Sequence, residues 1–127
     1  MTKGSRIVMQ DVEDIAKYIK HDARVLEGKT LLITGGIGFI GKYFLYTLSF
    51  LNKHYFSKPV RVVSLDNAIT GHRADHQDLL DPAIEFIKHD VRNLIDIPGP
   101  VAYLIHAAGI ASPVFYTKYP LETLEVA

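Results

Sequence analysis

Three glycines with a fixed spacing follow directly after a short apolar run, and no other feature of the sequence constrains the fold as strongly. The run is Lys29–Thr34, and the glycines are Gly35, Gly38 and Gly41. A run of this kind without alternation is typical of a strand that is covered on both faces. The apolar residues then continue from about Phe39 to Asn52 without a proline, which predicts a helix. The segment therefore predicts a strand, a glycine turn and a helix in direct succession.

This succession has the geometry that a diphosphate requires. Backbone N–H groups at a helix N-terminus bind phosphate oxygens. Side chains at Gly35 or Gly38 would obstruct the turn or the approach of the ligand, whereas Gly41 lets the helix pack closely on the strand. A glycine-rich turn that binds nothing is the alternative, and the strand before the turn and the helix after it favour the dinucleotide site.

Three more runs predict strands, namely Val60–Leu65, Ile84–Lys88 and Val101–His106, and Pro120 fits the first turn of a last helix. The connections between the strands are long, so the strands are expected to be parallel, because tight hairpins cannot join parallel neighbours. Right-handed crossovers then give the strand order 3-2-1-4, with a ligand crevice at the carboxyl ends of strands one and four. The predicted fold class is α/β, a Rossmann-type parallel sheet with flanking helices that is incomplete in this chain.

An amphipathic helix is expected ahead of this sheet. Its apolar residues recur at helical spacing and are Val8, Val12, Ile15, Ala16 and Ile19. We therefore divide the chain into residues 1–28, the N-terminal helix and lead-in, and residues 29–127, a truncated dinucleotide-binding half-domain.

Acidic residues follow the second and third predicted strands. Asp66 is placed to accept hydrogen bonds from both adenosine ribose hydroxyls and to repel a 2′-phosphate, which favours NAD over NADP; a surface-turn aspartate is the alternative. Asp90 is placed to accept the adenine amino group while Val91 packs on the ring. An aspartate that caps the next turn is the alternative for Asp90.

Small residues follow the fourth predicted strand. Ala107, Ala108 and Gly109 would let the cofactor ribose and nicotinamide lie against the backbone. Small residues also pack helices onto sheets, so that interpretation stays open.

Composition restricts the partners. The 14 basic and 14 acidic residues leave no net charge to attract nucleic acid or an acidic membrane, and there is no cysteine for a disulfide. The N-terminus lacks the apolar core of a signal peptide, so we expect a cytoplasmic protein. His72 and His76 are four residues apart, as metal ligands sometimes are, but no third ligand is evident and a solvated helix is favoured over a metal site.

Taken in order, the motifs resemble the extended short-chain dehydrogenase/reductase superfamily, and within it the NAD-dependent nucleotide-sugar epimerases, dehydratases and decarboxylases. The resemblance extends over about residues 29–127 and implies NAD as the cofactor and a nucleotide sugar as the substrate. It also implies positions for Phe39 and Ile40 beside the diphosphate and for Asn67 and Thr70 near the adenosine. The matching motifs are Thr34–Gly41, Asp66–Asn67 with Thr70–Gly71, His89–Arg92 and His106–Gly109.

The segment after the fourth strand is similar to that of UDP-glucuronate decarboxylases. It contains Ala111-Ser112-Pro113, followed by Tyr116 and Tyr119. The similarity implies that Ser112 and Tyr116 face the substrate. A loop serine and a packing tyrosine are the alternative.

Catalysis in this superfamily uses a tyrosine with a lysine four residues later. None of the seven tyrosines here has such a lysine, so no catalytic residue is predicted in these 127 residues. We expect the NAD-binding portion of a larger nucleotide-sugar enzyme. The alternative is a stand-alone, non-catalytic NAD-binding or regulatory module. Uncovered apolar sheet surface would make a homo-oligomer possible in either case.

Overall fold

A computed structural model describes residues 3–68, 79 and 81–127 of the chain, with the backbone alone for residues 3–7. The helices are α1 (Lys3–Ile19), α2 (Phe39–His54), α3 (Pro113–Lys118) and α4 (Pro120–Val126), with a short 3-10 helix at Asp22–Leu26. The strands are β1 (Thr30–Thr34), β2 (Arg61–Asp66), β3 (Ile84–Lys88) and β4 (Tyr103–His106).

All four strands form one parallel sheet in the order β3-β2-β1-β4. This confirms the predicted fold class and strand order, which follow from right-handed crossovers between parallel strands. Thr34 at the end of β1 pairs with Leu65 of β2 and with His106 of β4. The carboxyl ends of these three strands therefore meet at one edge of the sheet.

The two central strands carry the core. Ile33 of β1 and Val62 and Val63 of β2 have no exposed surface, although neighbouring residues of a strand point to opposite faces. The centre of the sheet is therefore covered on both faces, as the non-alternating apolar runs predict. Leu45 and Leu51 of α2 are also fully buried and belong to the same cluster as Ile33 and Val62.

The N-terminal helix adds to this core. Val12 and Ala16 of α1 are fully buried in the cluster that contains Leu45 of α2, and Val8 and Ile19 pack against it. Ile15, which was expected on the same stripe, is 39% exposed. Successive helical residues are rotated by about 100°, so a row through Val12 and Ala16 turns Ile15 to its edge.

The β4 side of the sheet contains one helix that the sequence did not predict. A short helix, α3, occupies a segment for which no element was predicted, and Pro113 at its first turn has the fixed φ that starts a helix. The strand β4 is an edge strand, as the predicted order requires. Apolar side chains of β4 and α4 are open to solvent: Leu104 is 60% exposed, and Leu121 and Leu124 are 72% and 77% exposed. In the described part of the chain, no helix is long and apolar enough to cross a bilayer.

Candidate functional site

A crevice lies at the carboxyl ends of the strands, where the sequence predicts it. Most of the predicted cofactor-binding residues line it, and they are Gly35, Gly38, Asp66, Asn67, Val91, Ala107, Ala108 and Gly109. Three further residues line it that were not predicted, namely His89, Ile110 and Val126. The strand register brings these segments together, because Thr34, Leu65 and His106 occupy the same level of the sheet.

Gly35 makes the turn out of β1 possible. Its φ is +74°, a left-handed conformation that disfavours any residue with a side chain. A Cβ at this position would lie 2.5 Å from the carbonyl oxygen of Ala107 and 2.6 Å from the nitrogen of Ala108. The turn is therefore in direct contact with the backbone that follows β4, and the two form one wall of the crevice.

Gly36 is a structural requirement that the spacing of the motif does not reveal. A Cβ there would overlap Ser64 Oγ, in the middle of β2, where Ser64 is only 1% exposed. Gly41 is required as expected, because a Cβ on it would overlap the carbonyl oxygen of Gly35. The sequence marks this position only by the pair Gly35-Gly36, because the spacing of the motif is defined by Gly35, Gly38 and Gly41 and does not include Gly36.

The N-terminus of α2 borders the crevice and has no side-chain cap. Gly38 is the N-cap residue, it lines the crevice, and no side chain bonds to the first turn. The first N–H groups of a helix have no partner within the helix. Of the predicted residues at this end of α2, Gly38 lines the crevice, whereas Phe39, Ile40 and Gly41 are not among its lining residues. Phe39 and Ile40 direct their side chains to solvent, with 77% and 59% exposed. This arrangement fits a diphosphate, for which backbone N–H donors and a helix N-terminus are the usual partners.

Asp66 lies on the other side of the same turn. Its Oδ2 accepts the N–H of Ile37 at 3.1 Å, and its Oδ1 accepts the N–H of Ala68 at 2.8 Å. A carboxylate offers about four lone-pair positions. Among the described residues these two amides are the only hydrogen-bond donors to Asp66 that the structure defines, which leaves one position on each oxygen. The two open acceptor positions match in number the two hydroxyl donors of a ribose.

Asp90 has different surroundings. Its carboxylate accepts the backbone N–H of Arg92 at 3.0 Å and the Arg92 guanidinium at 2.6 Å. Arg92 also reaches Glu125 of α4 at 2.7 Å. The hydrogen bonds from Arg92 lower the pKa of Asp90 to about 2, so the carboxyl group is held ionised. These contacts are those of the turn-capping alternative, and the predicted adenine contact of Asp90 stays a prediction.

A histidine network fixes the end of β4. His106 Nε2 lies 2.9 Å from the carbonyl oxygen of Val126, and its Nδ1 lies 2.6 Å from Thr34 Oγ1. A carbonyl only accepts, so Nε2 carries a proton, and in the neutral ring the Thr34 hydroxyl donates to Nδ1. Thr34 Oγ1 also accepts the N–H of Ala108 at 3.3 Å. The network thereby holds Ala107 and Ala108 against the glycine turn.

Asp90 and the predicted substrate residues are also absent from the lining of the crevice. Ser112 precedes α3, and Tyr116 of α3 is 43% exposed; neither is among the described residues that line the crevice. Thr70, His72 and His76 lie outside the described residues. Among those that are described, no group of three or more histidine, aspartate or glutamate side chains is arranged to hold a metal ion.

Comparison with known proteins gives partial similarity. No family model matches the chain. Over 96 residues the chain is 32% identical to UDP-glucuronic acid decarboxylase 6 of Arabidopsis thaliana, and 34% and 33% identical to decarboxylases 3 and 5 of the same plant. The aligned region is 75% of this chain and 26% of each relative, so it spans about a quarter of the length of the proteins it matches.

Proposed function

We propose that this chain is the NAD-binding portion of an enzyme that acts on a nucleotide sugar. The similarity to UDP-glucuronic acid decarboxylases supports the nucleotide-sugar epimerase and dehydratase family as the source of the chain. One observation carries the proposal most directly: the uncapped N-terminus of α2 and the carboxylate of Asp66 face the same crevice on either side of the glycine turn.

The two sides of the turn suit the two ends of an adenosine diphosphate. The diphosphate would accept N–H bonds from the first turn of α2, which contains no acidic residue of its own. The ribose would donate its two hydroxyls to Asp66, whose distance of 3.1 Å from the Ile37 nitrogen places the carboxylate directly beside the turn. Each group therefore has a partner of the opposite hydrogen-bonding type.

Asp66 also supports the choice of NAD over NADP. Its two defined partners are backbone N–H groups, so both carboxylate oxygens act as acceptors towards the turn. A 2′-phosphate on the ribose would remove one hydroxyl donor and bring a second negative group against this carboxylate. The expected result is weaker binding of NADP than of NAD.

The chemical step is assigned to polypeptide outside these 127 residues. None of the seven tyrosines has a lysine four residues later, which is the pair that the resemblance requires for proton transfer. The contribution of this chain is therefore to bind and orient the dinucleotide. The nucleotide sugar and the outcome of the reaction, whether decarboxylation, epimerisation or dehydration, depend on the rest of the enzyme.

Calorimetric titration tests this proposal. NAD, NADP and ADP-ribose are titrated into the protein and into Asp66→Asn, with Asp96→Asn as the matched control because Asp96 is exposed in the loop before β4. Hydrogen bonds to a charged group contribute about 1.5–3 kcal/mol, so Asp66→Asn should weaken NAD by roughly 10- to 150-fold and reduce the preference over NADP.

Thermal unfolding of each variant shows whether the fold is retained. The control should bind NAD as the unchanged protein does. Absence of binding by both NAD and ADP-ribose would refute the proposed function. An unchanged NAD to NADP ratio in a folded Asp66→Asn variant would refute the role of Asp66.

A further inference from the structure

The last helix, α4, is held to the rest of the chain mainly at its C-terminal end. Val126 is the only buried residue of this helix, all of which is described, and Leu121 and Leu124 are exposed. Tyr119 separates α4 from α3 and has a ψ of 61°, which is outside the helical range. Elements with few buried apolar contacts open at a low free-energy cost. The helix can therefore move as a unit about Tyr119.

Two polar contacts tether the end of α4 to opposite sides of the sheet. Glu125 accepts a hydrogen bond at 2.7 Å from Arg92, which lies in the turn after β3. The carbonyl oxygen of Val126 accepts one at 2.9 Å from His106, the last residue of β4. The strands β3 and β4 are the two edges of the sheet, and three inter-strand spacings, about 14 Å in total, separate them. The last turn of α4 thus bridges the carboxyl ends of β2 and β1, and we call its two tethers the latch.

The latch crosses the path that a dinucleotide would take. Asp66 ends β2 and Ala108 follows β4, so a ligand that contacts both has to cross the ends of β2 and β1. Val126 lines the same crevice and is only 7% exposed. The space that the lining residues enclose is about 50 Å³, whereas sites for small ligands measure about 300–1,000 Å³. A dinucleotide does not fit while Val126 is in place.

We propose that the last turn of α4 is an autoinhibitory latch, which is closed in the free protein and is displaced when the dinucleotide enters the crevice. This inference rests on the proposed dinucleotide function. When only a fraction of the molecules is competent to bind, the apparent affinity is reduced by that fraction. Weakening the latch should therefore tighten the binding of NAD. If α4 were instead a fixed wall that shapes the site, the same change would weaken it.

The first experiment weakens one tether. Glu125→Gln removes the charge that pairs with Arg92, and Glu122→Gln is the matched control, because Glu122 is on the same helix and forms no ion pair with a described residue. Ion pairs between exposed groups are weak, so calorimetry should show NAD binding about two- to fivefold tighter in Glu125→Gln. The control should bind NAD as the unchanged protein does, which separates the loss of the tether from the loss of a negative charge on α4.

The second experiment closes the latch covalently. The chain contains no cysteine, so Arg92→Cys combined with Glu125→Cys places the only two thiols at this tether. A reducible bis-methanethiosulfonate reagent joins them, and dithiothreitol releases them. The joined form should bind NAD about tenfold more weakly, or worse, than the same protein after reduction. Methyl methanethiosulfonate modifies both thiols without joining them, and that form should bind as the reduced protein does.

The outcomes separate this inference from the proposed function. Circular dichroism first shows that each form is folded. Unchanged or weaker NAD binding by Glu125→Gln, or equal affinities of the joined and reduced forms, overturns the latch and leaves the dinucleotide site intact. An equal gain in Glu122→Gln assigns the effect to charge and also overturns it. Binding of NAD by none of these proteins, the reduced double variant included, refutes the proposed function itself.

Discussion

Gly35→Ala should destabilise the protein through two separate effects. Alanine in a left-handed conformation costs about 1–2 kcal/mol, and the φ of Gly35 is +74°. The new Cβ would lie 2.5 Å from the Ala107 oxygen, and overpacking of this kind costs about 1–3 kcal/mol. The sum, roughly 2–5 kcal/mol, is a large part of the about 5–15 kcal/mol that stabilises a typical domain.

Two other glycines separate the two effects. Gly99 has a φ of +85°, and a Cβ on it would meet no described atom within 4 Å, so Gly99→Ala should show only the backbone cost of about 1–2 kcal/mol. Gly109 has neither a positive φ nor a described atom within 4 Å of an added Cβ, so Gly109→Ala should change the stability by less than about 0.5 kcal/mol.

Urea unfolding followed by far-ultraviolet circular dichroism measures all three variants, and equal m-values show that the unfolded states are comparable. The difference between Gly35→Ala and Gly99→Ala isolates the contact with Ala107. If the two variants lose equal stability, the glycine turn does not press on the segment after β4, and the described wall of the crevice is wrong.

Three further predictions concern other parts of the fold. Val12→Ala should cost about 1–3 kcal/mol because Val12 is fully buried, whereas Ile15→Ala, at a residue that is 39% exposed, should cost less; urea unfolding that ranks them in the opposite order contradicts the packing of α1. Ala68→Gly should stabilise by up to about 1 kcal/mol, because Ala68 has a φ of +61°; a loss of thermal stability contradicts this. Arg92 lowers the pKa of Asp90 from 3.8 to about 2, so this carboxylate stabilises the folded state above pH about 4 and the contribution is lost as the pH falls through about 2. Asp90→Asn should therefore be less stable than the unchanged protein near neutral pH, and urea unfolding at stepwise lower pH should show the gap close; a gap that is constant with pH contradicts it.

The sheet was predictable because its signals are local. The runs at β1 and β2 lack alternation; in the structure β2 is buried on both faces, and β1 is buried on one face and partly buried on the other. The bounds of β3 agree with the prediction because Asp81, just before Pro82, forms a turn in which its Oδ1 accepts the N–H of Ala83. Handedness then fixes the strand order, since right-handed crossovers leave little choice.

The details of the site were less predictable because they depend on residues far apart in the chain. The doubled glycine does not reveal that Gly36 faces Ser64. Both interpretations of Asp90 were consistent with the sequence; its contact with Arg92, two residues later, is local, whereas the contact of Arg92 with Glu125 depends on where α4 packs. A local pattern carries no information on such pairs.

The contact between Gly36 and Ser64 links two positions that no short motif contains together. The Ser64 hydroxyl has no hydrogen-bond partner among the described residues, so its size rather than its polarity matters to Gly36. Ser64→Ala would remove the nearest atom and leave a Cβ that a side chain on Gly36 meets at 3.1 Å. Gly36→Ala should accordingly destabilise the protein far less in a Ser64→Ala background than alone. We expect that in divergent relatives a larger residue at position 36 is accompanied by a smaller one at position 64.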